Sequence, residues 1–134
     1  MAQDQTQPGK VVGLPVPLLQ GVEVTTDGMD NETLAARFFR VLGDPTRVRA
    51  LRLLLDAPTG EYRVGELVEA LGAPQSRVST HLGCLRWCGL VQTRREGKQV
   101  YYRIADSRVR DILTLGTALA GDNMAGVSTC GMLR

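Results

Sequence analysis

The stretch VGELVEALGAPQSRVSTHLGCLRWCGL, residues 64–90, decides the fold. Val64, Leu67, Val68 and Leu71 recur at helical spacing and stop at Gly72, which predicts a short helix. Pro74 follows, and Val78, Leu82 and Leu85 carry a second apolar stripe to Gly89, a residue suited to a helix C-terminal cap. Two short helices joined by a tight, glycine-containing turn form a helix-turn-helix pattern.

Downstream, Leu90–Thr93 and Val100–Ile104 are β-prone runs around Arg94-Arg-Glu-Gly-Lys-Gln99, which predicts a hairpin with a charged tip. Upstream, Asp30 is a plausible N-cap for a helix in which Leu34, Phe38, Val41 and Leu42 repeat at helical spacing up to Gly43. Asp44 caps a second helix with Pro45 at its first position, and its buried stripe, Val48, Leu51, Leu54 and Leu55, ends before Pro58. Val109, Ile112, Leu113 and Leu119 mark a fifth helix over about 107–120. The expected fold is therefore mainly α with a small β-hairpin: a winged helix-turn-helix of five helices, residues 29–120. A flexible N-terminal extension, residues 1–28, precedes it, and a tail of small and polar residues, 121–134, follows.

A chain of 134 residues has room for one domain with extensions. At 43% hydrophobic and 22% charged it has the composition of a globular protein, and with 4% aromatic residues its core must be aliphatic. The net charge of +2 conceals an asymmetry. Residues 1–30 set Lys10 against Asp4, Glu23, Asp27 and Asp30, whereas the rest of the chain carries 15 Lys and Arg against 10 acids. The early apolar stretch Val11–Val24 is broken by Gly13, Pro15, Pro17 and Gly21, so it reads as neither a signal peptide nor a membrane span. An odd count of three cysteines does not suit a secreted disulfide framework and favours a reducing cytoplasm.

A winged helix offers DNA two contacts, the start of the second helix in the major groove and the wing along the backbone. Gln75, Ser76, Arg77, Ser79, Thr80 and His81 lie at that helix start, and Arg94, Arg95 and Lys98 at the wing. All can hydrogen-bond base edges or phosphates. Each cluster alone would be an ordinary solvated surface; their order and spacing together predict binding to double-stranded DNA. His81 is the only histidine, which excludes a His-rich metal site and leaves it as a phosphate or backbone contact. Trp87 reads as a packing residue or an interface anchor.

Cys84 and Cys88 are spaced i,i+4, which puts their Cβ atoms ~5–6 Å apart on one helix face. An unstrained disulfide needs Cβ atoms ~3.5–4.5 Å apart, whereas two thiolates can share one metal ion at a wider separation. The negative C-terminal end of a helix disfavours a free thiolate and favours a bound cation. Free cysteines are often simply small buried hydrophobes, but Cys130, in a Gly- and Ser-rich tail, has no core to fill. A site of sulfurs alone selects soft ions, Cd(II), Pb(II) or Hg(II), ahead of zinc. The alternative is a thiol redox sensor on the same scaffold. A cysteine enzyme is disfavoured, because no base–nucleophile pair stands at a helix N-terminus.

Leu42-Gly-Asp-Pro-Thr-Arg47, Ser76-Arg-Val-Ser-Thr-His-Leu82 and Gly97-Lys-Gln-Val-Tyr-Tyr-Arg103 resemble the ArsR/SmtB metal-sensing repressors over about residues 30–120. Within that family, His81-Leu-Gly-Cys-Leu-Arg-Trp-Cys-Gly-Leu-Val91 is most similar to the actinobacterial cadmium/lead sensors. The resemblance implies a homodimer formed through the first and last helices. It also implies a site of two recognition-helix cysteines plus one tail cysteine of the other subunit, here Cys84, Cys88 and Cys130. Two commoner sensing sites of the family are absent: Glu61–Leu67 contains no cysteine, and Asp106 and Asp111 have no histidine partners. The expected function is a metal-responsive repressor that leaves operator DNA when a heavy-metal ion binds.

Overall fold

The computed structural model describes residues 28–133. The expected extension, residues 1–28, lies outside the described residues except for Gly28. The elements run α1 (Asn31–Val41), α2 (Pro45–Leu55), β1 (Tyr62–Arg63), α3 (Val64–Leu71), α4 (Gln75–Trp87), β2 (Val91–Glu96), β3 (Gln99–Ile104), α5 (Arg108–Asp122) and α6 (Met124–Thr129).

Local chemistry sets the helix ends. The Asp30 carboxylate accepts the Thr33 N–H at 2.7 Å, and Asp44 accepts those of Thr46 and Arg47 at 2.8 and 3.2 Å, so both acids occupy amides the first turn would leave unpaired. Between α3 and α4, Gly72 turns through φ +63°, a left-handed conformation that a side chain would resist. At the end of α4 the Gly89 N–H bonds the Arg86 carbonyl and the Leu90 N–H the Leu85 carbonyl, the paired bonds of a Schellman cap.

The helix-turn-helix and wing are as expected, with three differences. Helices number six among the described residues, because the tail forms α6, and α5 runs two residues past 120. A third strand, β1, pairs antiparallel with β3 (Tyr62↔Tyr102), giving the sheet order β1-β3-β2. The wing strands also continue to the Glu96↔Gln99 pair, so Arg94 and Arg95 lie on β2 and the turn itself is Gly97-Lys98. Both strands extend because residues 94–96 find cross-strand partners.

Leu51 and Leu54 of α2, Leu67 of α3, Val78, Leu82 and Leu85 of α4, and Val109 and Leu113 of α5 meet in one core with Leu90 and Val91. Burying each such side chain stabilises the fold by roughly 1.5–3 kcal/mol. No polar side chain is buried among the described residues. Helix α1 has no buried residue and only leans Phe38, Val41 and Leu42 on the core. Phe39, Leu115, Leu119, Met124 and Val127 are exposed on α1, α5 and α6. No helix of the described residues is long and apolar enough to cross a membrane.

Candidate nucleic-acid interface and cysteine site

Helix α4 presents two faces. Val78, Leu82 and Leu85 bury one, which turns Gln75, Ser76, Arg77, Ser79 and Thr80 outward at its first turns. Among the described residues no side chain caps its N-terminus, which leaves its first amides open to an acceptor there. The Thr80 hydroxyl donates to the Ser76 carbonyl at 2.9 Å, leaving its oxygen able to accept.

His81 differs from expectation. It is half-buried against the start of α2, with Nδ1 3.2 Å from Arg47 Nη1 and Nε2 3.8 Å from Asp44 Oδ1. A guanidinium can only donate, so Nδ1 accepts and the ring proton sits on Nε2, toward Asp44. Burial works against ionisation of Asp44, but the backbone N–H groups of Arg47 and Thr46, with His81 and the Arg47 charge, bring its carboxyl below the usual range. The spacing carried this signal: His81 is three residues after Val78 and four before Leu85, on the edge of the buried stripe.

The wing divides in the same way. The Arg94 guanidinium pairs with both Glu61 and Glu96 and stacks 4.3 Å over the Tyr101 ring. Adjacent strand residues point to opposite faces, so Arg95 is turned the other way. Arg95 and Lys98 are exposed, and no ion pair engages either among the described residues.

At the other end of α4 the last helical bond runs from the Cys88 N–H to the Cys84 carbonyl at 3.0 Å, which keeps the two side chains on one face. Cys84 is half-buried and Cys88 exposed. Desolvation, then the neighbouring Cys84 sulfur, which lies within hydrogen-bonding reach, pushes the Cys88 thiol above its ordinary 9.0, with Arg47 pulling the other way. The pair opens into a groove of about 760 Å³ bordered by Phe38, Arg40 and Arg47. Trp87, 92% exposed, stands at its rim. Cys130 ends α6 and is exposed; among the described residues no three His, Cys, Asp or Glu come together as a metal site. The donor set fits a thiophilic ion in type, with the chain's own fold bringing two of three sulfurs together.

A helix-turn-helix with an exposed basic wing defines a DNA-binding regulator, and comparison with known proteins specifies the class. The model of bacterial regulatory proteins of the arsR family matches residues 44–93. A probable mercury resistance operon repressor of Streptomyces lividans is 47% identical over 95 residues, 71% of this chain and 74% of that protein. The HTH-type transcriptional regulator CmtR of Mycobacterium tuberculosis is 50% identical over 78 residues, 58% of this chain and 64% of the regulator. A solution structure from Mycobacterium bovis, the homodimeric winged helix-turn-helix domain of a possible ArsR-family regulator, is 32% identical with a TM-score of 0.57, covering 71% of this chain and 90% of that one. The chain belongs to the ArsR family of bacterial regulatory proteins. It is accordingly a DNA-binding transcriptional regulator and not an enzyme.

Proposed function

We propose that this chain is a repressor that binds a near-palindromic operator as a homodimer and releases it when Cd(II), Pb(II) or Hg(II) is held by Cys84, Cys88 and Cys130. Gln75, Ser76, Arg77, Ser79 and Thr80 read the major groove, while Arg95 and Lys98 contact phosphates. The two α4 helices of the dimer meet successive major grooves ~34 Å apart. The third sulfur comes from the tail of the other subunit.

The observation that carries this reading is the thiol pair standing side by side on α4 itself. From Ser76 to Cys84 is about 12 Å along the helix, so a ligand that reorients the sulfurs acts directly on the DNA-reading element. A bound soft cation supplies the charge that converts the thiols to thiolates and holds them. The names of two relatives, a mercury resistance repressor and CmtR, agree with a thiophilic inducer.

The test uses a double-stranded operator selected from random sequence by the metal-free protein. Its fluorescence anisotropy is followed against Cd(II), Pb(II), Hg(II), zinc and arsenite, with the sulfur-to-metal charge-transfer absorption recorded in parallel. Cys84→Ser and Cys88→Ser should each lose both the absorption and operator release. Release at wild-type metal concentrations by both variants would refute the site. Release by peroxide alone, with loss of titratable thiols, would favour the redox alternative.

A further inference from the structure

Arg47 is bonded to three elements at once. Its Nε donates to the Val41 carbonyl at 2.5 Å and its Nη2 to the Arg40 carbonyl at 3.2 Å, so the cation sits on the negative C-terminal end of α1. Its backbone N–H is held by Asp44 at the start of α2, and Nη1 donates to His81 Nδ1 on α4 at 3.2 Å. Helix α1 has no buried residue of its own, and this fork links its C-terminal end to α4. The same guanidinium borders the groove into which Cys84 and Cys88 open. His81, Cys84 and Cys88 follow at i, i+3 and i+7 along one side of α4. Arg37 and Arg40 also line the groove, but among the described residues neither side chain bonds to α4.

We propose that Arg47 and His81 are the positioning residues that couple the cysteine pair to the DNA-reading end of α4. The proposal rests on the metal-sensing reading above. In the metal-free protein Arg47 directs its donors to α1 and His81, fixing the rotation of α4 about its own axis. Three thiolates around one divalent cation, their protons released to solvent, leave a net single negative charge beside the guanidinium. A hydrogen bond between two ions outcompetes one from a cation to a neutral ring. Arg47 therefore turns to the sulfurs, its bond to His81 opens, and α4 is free to rotate against α1 and α2. Its first turn, with Ser76 and Ser79, leaves groove register. The element with two arrangements is the guanidinium, and both sites bias it.

Two substitutions separate coupling from binding. His81→Phe keeps a ring of similar size but removes the acceptor, and His81→Asn returns an amide oxygen near the position of Nδ1. Operator affinity is measured with and without Cd(II), and Cd(II) affinity is measured on DNA-free protein by charge-transfer absorption. His81→Phe should bind Cd(II) with wild-type absorption, while the ratio of operator affinities without and with the ion falls by about tenfold; His81→Asn should recover most of that ratio. Nitrogen-15 NMR of the wild type should show His81 as the Nε2–H tautomer in the metal-free protein, with the Nδ1 resonance moving on Cd(II) addition. An unchanged ratio in His81→Phe, or a wild-type Nδ1 resonance that does not move, overturns the coupling and leaves the metal site standing. Absence of any charge-transfer band in the wild type overturns the metal reading and the coupling with it.

Discussion

Arg94 and Arg95 are neighbours of one chemical type whose surroundings give them different work. Arg94 is occupied by Glu61, Glu96 and the Tyr101 ring, while Arg95 on the opposite face has no such partners among the described residues. Phosphate binding releases counterions, so each lost contact lowers the slope of log affinity against log salt by about 0.9, and a dimer on its operator loses two at a time. Arg95→Ala and Lys98→Ala should each reduce the slope by about 2 for the dimer. Arg94→Ala should leave it nearly unchanged. Operator titrations at several salt concentrations decide the matter, and a slope that falls equally for all three would show that Arg94 abandons its acids for phosphate. This distinction was not legible in the sequence, because Glu61 lies 33 positions from Arg94 and only the β1–β3 pairing brings them together.

At the scale of the element, the C-terminal end of α4 ties fold and site together. Gly89 holds φ +81° with open space where a Cβ would stand, so Gly89→Ala costs backbone strain alone, about 1 kcal/mol. Urea unfolding should show that loss. Gly89→Asn should lose less, since asparagine enters the left-handed region more readily. Equal stability in all three would mean the Schellman cap contributes nothing. This cap, like those at Asp30 and Asp44, was legible because the residues that make it are contiguous, and so was the end of helix α3 at Gly72. Strand β1 was not, because two residues carry no period and form a strand only against Tyr101 and Tyr102. Helix α6 escaped for a similar reason: Met124-Ala-Gly-Val-Ser-Thr129 lacks an apolar stripe. For the site, the i,i+4 cysteines and the outward face of α4 followed from helical spacing. The groove of Arg47, Arg40 and Phe38 around them required α1 and α2 in place.

At the scale of the whole molecule, the chain leaves apolar surface on the helices that its own core does not use. Phe39 on α1 is 59% exposed, and Leu115 and Leu119, one turn apart on α5, are 61% and 67% exposed. A second copy that packs these helices against their equivalents removes that surface from water, at roughly 1.5–3 kcal/mol for each side chain fully covered. A two-fold axis doubles every contact and also every lesion. Leu119→Glu therefore introduces two carboxylates into such an interface, and sedimentation velocity should show the dimer dissociating at micromolar concentration. The monomer then loses the second half-site, whose effective concentration in the dimer reaches the millimolar range, so operator affinity should fall by about two orders of magnitude or more. Thr114→Glu, exposed and about 140° around α5 from Leu119, carries the same charge without touching that face. It should stay dimeric and bind the operator as the wild type does. A Leu119→Glu protein that remained dimeric would place the interface elsewhere. The cross-subunit route from the Cys130 tail to Cys84 and Cys88 would then have to be drawn on a different pair of helices.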